Sequence, residues 1–221
     1  MNRTHTVTDN STALLPEPTL RRLPWYLAYV DLLQQAGVTN VSSRSLARDI
    51  DVDAAQIAKD LSFINVKGKT RIGYDVAELK NALLSHLGFA SRHNAVLVGA
   101  GSLGAALMCD SGLQHYGLNI VAGVDSNPDL IGKEINGITV YAPSEIRRIV
   151  EMLNVKIGVI AVPVDAAQDV ADSLIRAGIK GLWNFTPRRI KVSDSIVVAN
   201  TSIYSHLAVM YNRLANTEAA S

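Results

Sequence analysis

The chain carries a single cysteine, Cys109, among 221 residues. One cysteine excludes an intrachain disulfide and every metal site built from several thiolates. It suits a reducing cytosol, which is where we expect the protein to work. The five histidines (His5, His86, His93, His115 and His206) show no H-x-x-x-H or related ligand spacing, so no metal ion is expected. No apolar run approaches the roughly 20 residues that cross a bilayer. The polar N-terminus, MNRTHTVTDNSTALLPEP, lacks the apolar centre of a signal peptide. Excess charge of either sign is also missing. The formal net charge is +1, so any basic footprint has to be local. Hydrophobic residues at 48% and charged residues at 19% fit a globular chain long enough for one large or two small domains.

What is present centres on VLVGAGSLGAAL, residues 96–107. The apolar run Ala95 to Val98 predicts a buried parallel strand. Gly99, Gly101 and Gly104 then have the spacing of the dinucleotide-binding fingerprint, with Ala100, Ser102 and Leu103 between them. The first glycine permits a tight strand-to-helix turn. The second lets backbone approach a pyrophosphate. The third lets the helix, with its positive N-terminus, pack close to the strand. A second strand, Asn119 to Val124, ends in Asp125, placed to accept hydrogen bonds from ribose hydroxyls, and Ser126 follows. No Arg or Lys follows at once to meet a 2′-phosphate, so NAD(H) is favoured over NADP(H).

Downstream, DSNPDLIGKEING reads as a loop before strand Ile138–Tyr141. Ser144 is expected to cap a helix. Strand Lys156–Val162, helix Asp165–Ala177, and strands Gly181–Phe185 and Ser195–Asn200 follow. This alternation predicts a doubly wound parallel sheet. A last helix, Ile203 to Leu214, places Ile203, Leu207, Met210, Tyr211 and Leu214 on one stripe. No strand follows to cover that stripe, which points to a partner subunit.

Upstream, Leu20, Leu23, Leu27, Val30 and Leu33 recur at helical spacing, with Pro24 expected to disturb the first turns. Ser42 and Ser43 can cap a second helix, and Asp53 a third, AAQIAKDLSFI. Three short helices with a tight turn before the third describe a helix-turn-helix. NVKGKTRIGYDV then reads as a β-hairpin wing with Ile72 to Val76 as its returning strand. From Lys59 to Tyr74 four basic residues (Lys59, Lys67, Lys69 and Arg71) face Asp60 alone. That local excess sits where a winged helix meets phosphates. Candidate DNA contacts are Ser43, Arg44, Gln56, Lys59, Lys67, Gly68, Lys69 and Arg71.

Taken together, the segments TLRRLPWY (19–26), VSS (41–43), QIAKDLSF (56–63), GKTRIGYDV (68–76), LVGAGSLGAAL (97–107), VAGVDSNPDLIG (121–132), residues 160–187 and the last helix resemble the Rex family of redox-sensing transcriptional repressors. The match spans about residues 18–214. It implies an α/β chain: an N-terminal winged helix-turn-helix domain, then a C-terminal Rossmann doubly wound parallel sheet with a C-terminal helix swapped between subunits. It implies a homodimer on a palindromic operator in double-stranded DNA, released when NADH closes the dimer. It places Val162, Pro163, Asn184, Phe185, Thr186, Pro187 and Ile203 at the dinucleotide as well. The expected boundaries are a flexible arm at 1–17, the winged helix at 18–87, a linker at 88–94, the Rossmann domain at 95–201, and a dimerisation helix and tail at 202–221.

The chain departs from the family at several places. The recognition helix of the family reads Gln-Val-Arg-Lys-Asp, and here Ala58 replaces the arginine. The family has glycine where Arg71 stands, and Phe-Gly where Ile64-Asn65 stands. A family tyrosine is Asp110 here. The aspartate that opens the swapped helix, which alternates in the family between that tyrosine and the arginine matching Arg22, is Ser202. The readings therefore run from an NADH-gated regulator to a DNA-binding relative with altered or lost redox gating. An NAD-dependent oxidoreductase ranks below both. No general acid or base is placed for hydride chemistry, and no substrate domain follows the sheet.

Overall fold

Pro18 sits in the first turn of α1 (Glu17–Gln35) of a computed structural model that describes residues 15–219. A proline is tolerated there because its missing N–H has no helical partner. Residues 1–14, most of the expected arm, lie outside the described residues, and Glu17 is already helical. Pro24 does not end the helix, which continues to Gln35. Leu23, Tyr26, Leu27 and Val30 are buried along it, while Leu20 and Leu33 are only half-covered.

The chain divides into two compact units between Ala90 and Ser91. In the first, Ser42 caps α2 (Ser43–Ile50) by accepting the Ser45 N–H at 3.1 Å. Asp51 closes α2 in the left-handed region at φ 57°. Asp53 caps α3 (Ala54–Phe63), accepting from the N–H groups of Ala55 and Gln56 at 2.8 and 3.2 Å. Leu46, Ile57 and Leu61 are fully buried where α2 packs on α3. This is the expected helix-turn-helix.

The wing differs from expectation. The returning strand is only β2 (Tyr74–Asp75), and it pairs antiparallel with β1 (Asn40–Val41), ahead of α2. The outgoing arm is held at one bridge, where Lys69 and Gly73 exchange N–H···O bonds of 2.8 and 2.9 Å. So tight a closure leaves no residues for a longer ladder. Val76 already opens α4 (Val76–His86), capped by Asp75.

The second unit holds a seven-stranded sheet. In chain order its elements are β3 (His93–Val98), α5 (Ser102–Cys109), α6 (Ser111–His115), β4 (Leu118–Val124), β5 (Glu134–Ile135), β6 (Ile138–Tyr141), α7 (Ile146–Met152), β7 (Ile157–Ile160), α8 (Ala167–Arg176), β8 (Gly181–Asn184), β9 (Val197–Asn200) and α9 (Ile203–Ala219). The sheet order is β5-β6-β4-β3-β7-β8-β9, parallel throughout except for the β5–β6 pair. The alternation of β3 supplies both layers. Val96 and Val98 join the core with Ile149, Ala171 and Leu174, whereas Ala95 and Leu97 pack with Met108 and Ile120.

Four local expectations change. The loop before β6 contains β5, because Asn136 and Gly137 at φ 52° and 74° form a two-residue hairpin turn. Ser144 does not cap α7; it lies in a 3₁₀ turn, Pro143–Glu145, where Glu145 instead accepts the Ala142 N–H at 3.3 Å. β3 starts at His93, inside the expected linker. α9 runs on to Ala219, past Leu214, where the helix was expected to end.

Candidate functional site

The strand order reverses between β3 and β7, the topological switch point at which α/β sheets hold ligands beyond their strand ends. The three glycines lie there. Gly99 has φ +98°, and a Cβ on it would overlap the Ala161 carbonyl. Gly104 is buried, and a Cβ there would overlap the Gly99 carbonyl. At Gly101 a Cβ would meet nothing within 4 Å. Two glycines are thus demanded by the fold, and the third leaves open space at the N-terminus of α5. Asp125 faces this turn. Its Oδ2 accepts the Ala100 N–H at 2.7 Å and its Oδ1 the Asn127 N–H at 2.8 Å. Those bonds fix the carboxylate and leave lone pairs free for ligand hydroxyls.

A cleft of about 330 Å³ opens beside the turn. It brings together the expected Gly99, Asp125, Ser126, Val162 and Pro163. Its far wall was not foreseen: Pro143, Ile146, Asp169, Val170 and Ser173 line it. In sequence these are ordinary helix residues; only the topology, which sets α7 and α8 beside the crevice, marks them. Ser102 and Leu103 are exposed on the first turn of α5, and Ala100 is buried.

The segment 184–187 lies elsewhere than on this cleft. Asn184 is buried, and its Oδ1 accepts from the Thr186 N–H and hydroxyl at 3.0 and 2.8 Å. Its Nδ2 donates to the Arg188 carbonyl and to Asn200 Oδ1 at 2.7 and 2.9 Å. These polar atoms tie β8 to β9. Phe185 packs against Trp183, ring centroids 4.6 Å apart, and the Trp183 indole donates to Thr201 Oγ1 at 2.8 Å. Pro187 is exposed, as is Ile203 at the start of α9. Along α9 every described residue except Leu207 is exposed, including Met210, Tyr211 and Leu214.

In the first unit, Arg44, Lys59, Lys67, Gly68, Lys69 and Arg71 are exposed and Ser43 is half-buried. A polar hollow of about 390 Å³ gathers Ser43, Gly68, Lys69 and Arg71. The N-terminus of α2 and the basic wing therefore share one concave surface. Both positions where the family carries glycine are left-handed here: Asn65 at φ 59° and Arg71 at φ 66°.

Asp60, the one acid counted against those basic residues, does not lie among them in solvent. It is fully buried and accepts from Thr19 Oγ1 (2.9 Å), Arg22 Nε and Nη2 (2.6 and 2.8 Å), Tyr26 OH (2.7 Å) and Gln56 Nε2 (2.9 Å). Burial works against its charge, but the bonds from Arg22, Tyr26, Thr19 and Gln56 outweigh that and hold its carboxyl at about 2. Burial and then Asp60 raise the Tyr26 phenol, and Asp60 raises Arg22 against the opposing effect of burial. Arg22 is thereby committed inside its own unit. Asp110 caps α6 through the Gly112 and Leu113 N–H groups at 2.6 and 3.2 Å. Ser202 accepts the Ser205 N–H at 3.2 Å in the first turn of α9.

Residues 90–188 match the family described as CoA binding domain, and residues 15–62 the one described as putative DNA-binding protein N-terminus. The redox-sensing transcriptional repressor Rex of Porphyromonas gingivalis is 53% identical over 212 residues, 95% of this chain and 97% of that protein. This chain belongs to the Rex family. The Rex of Bacteroides fragilis is 50% identical over 97% of both chains. Among solved structures, the crystal structure of RSP in complex with beta-NAD+ and operator DNA has a TM-score of 0.88 at 34% identity, covering 93% of this chain and 95% of that one. RSP in complex with beta-NADH has a TM-score of 0.84 at 33% identity, covering 93% and 97%. Rex repressors therefore supply the frame for both surfaces. Among the described residues no cluster of three or more His, Cys, Asp or Glu is arranged for a metal ion, and no helix is long and apolar enough to cross a membrane.

Proposed function

We propose that the chain is a Rex repressor that binds a palindromic operator through α3 and the wing and releases it when NADH replaces NAD in the second unit. The observation that carries the reading is the open space at Gly101, between two glycines that the fold itself requires. A pyrophosphate fills that space while α5 points its N–H groups at it. Asp125 takes the ribose hydroxyls and the cleft beneath takes the adenine end. The basic hollow between α2 and the wing takes a DNA phosphate. The exposed face of α9 takes a second copy of the chain, which two half-sites require. The chain acts by binding; no residue of it is assigned a catalytic step, and a cytosolic place of action fits that role.

Anisotropy titration of the full chain on duplexes carrying inverted repeats, with NAD or NADH added separately, tests this. NADH is expected to release DNA at lower concentration than NAD. Tight DNA binding that ignores both nucleotides overturns the gating.

A second reading, retained DNA binding with weakened redox gating, is favoured by the three switch positions. Arg22 is held by Asp60, and Asp110 and Ser202 both cap helices. Ser202 has no charge to pair with Arg22. A bond to a charged group contributes roughly 1.5–3 kcal/mol, and tenfold gating needs only about 1.4. On that reading NADH and NAD release DNA at similar concentrations, and a hundredfold gap between them rules it out.

A further inference from the structure

We propose that Gln56 reads a base edge with its carbonyl oxygen, which the buried carboxylate of Asp60 turns outward, and that it therefore selects a base carrying an exocyclic amino group. This rests on the reading that α3 enters the major groove.

The orientation of a glutamine amide is fixed only by what surrounds it. Here the surroundings decide it. Asp60 is buried and held by the guanidinium of Arg22, so it is an ionised acceptor with no proton to give. Whatever end of the Gln56 side chain meets Asp60 Oδ1 must donate. Only the amide nitrogen can, and it lies 2.9 Å away. Oε1 then has to face the other way. Among the described residues it has no hydrogen-bond partner, and it is not a buried unsatisfied atom, so it reaches solvent.

The position is also the right one. Gln56 lies in the first turn of α3, and the N-terminal residues of a recognition helix are those that contact base edges. Ala55 and Ala58 beside it are exposed and small, so neither holds the helix away from the groove. Ala58 offers no guanidinium for guanine, which leaves Gln56, after the capping Asp53, as the first polar side chain within α3. An outward acceptor pairs with the N6 amino group of adenine or the N4 amino group of cytosine. Guanine O6 and thymine O4 are themselves acceptors and repel it.

The test selects duplexes from a pool with randomised inverted half-sites, using the full chain and its Gln56→Ala variant. Wild type is expected to fix adenine or cytosine at one position of each half-site where Gln56→Ala accepts any base. Putting purine in place of that adenine, or 2-pyrimidinone in place of that cytosine, removes the amino group alone. This should weaken wild-type binding about 3- to 10-fold, the loss of one hydrogen bond, and leave Gln56→Ala unaffected. The two analogues also distinguish adenine from cytosine. In Asp60→Asn the new amide can donate to Gln56 Oε1, reversing the side chain, so the preference should move to guanine or thymine. An unmoved preference in a folded Asp60→Asn protein overturns the role of Asp60. An identical consensus for wild type and Gln56→Ala, or an equal loss by both on the analogues, overturns the proposal. Failure of wild type to enrich any sequence counts instead against operator binding itself.

Discussion

A Cβ separates the glycines of the nucleotide turn by role. Gly101→Val should fold with wild-type stability, since nothing lies near a Cβ there, and lose NADH binding in calorimetry. Gly104→Ala should lose at least about 2 kcal/mol in urea melts, because the carbonyl of Gly99 cannot move aside. Equal stability losses in the two variants would show that the space at Gly101 is structural. At the wing, Arg71→Gly removes a left-handed arginine. We expect a gain of about 0.5–1 kcal/mol in stability, together with weaker DNA binding and a salt slope reduced by about one unit. A melt and a salt titration read the two effects separately. Ser144 was misread as a cap and Asp75 was read only as strand, but the Ser42 and Asp53 caps were legible at this scale, because each acts on N–H groups two or three residues away. Asp60 was not. Thr19, Arg22 and Tyr26 lie 34 to 41 residues from it, and no local pattern tells a buried acid from a solvated one.

Elements with long apolar periodicity were read correctly, and short ones were not. β4, β6 and β8 lie where their patterns put them, and β3 and α9 do so apart from one extended end each, because each contributes a full face to a core or leaves one bare. β1, β5 and α6 carry too few residues to show a period; only the Asn136-Gly137 pair hinted at β5. The cleft followed the same rule: its glycine side was written as a motif, and its α7–α8 side emerges only from strand order. The bare face of α9 makes its own prediction. Deleting residues 202–221 should convert a dimer into monomer or aggregate in sedimentation velocity. A well-behaved dimer after the deletion would place the interface elsewhere.

For the molecule as a whole, acid should act first on the unit that contains Asp60. Its carboxyl titrates at about 2 when folded and at 3.8 when free. A depressed value stabilises the fold fully above the free value, and that contribution disappears as pH falls from about 4 towards 2. Thermal melts near neutrality and at about pH 3 should show this loss in wild type and its absence in Asp60→Asn. A wild-type melt flat across that range would mean the network contributes nothing. The aromatic pair at the end of β8 has an optical consequence. The chain has two tryptophans: Trp25, 60% exposed on α1, and Trp183, packed on Phe185 in the second unit. Reduced nicotinamide absorbs light where tryptophan emits, and oxidised nicotinamide does not. Trp183 is therefore a built-in energy donor for one redox form of the ligand. In Trp25→Phe protein it is the sole donor, and its emission should fall as NADH fills the site while NAD leaves it bright.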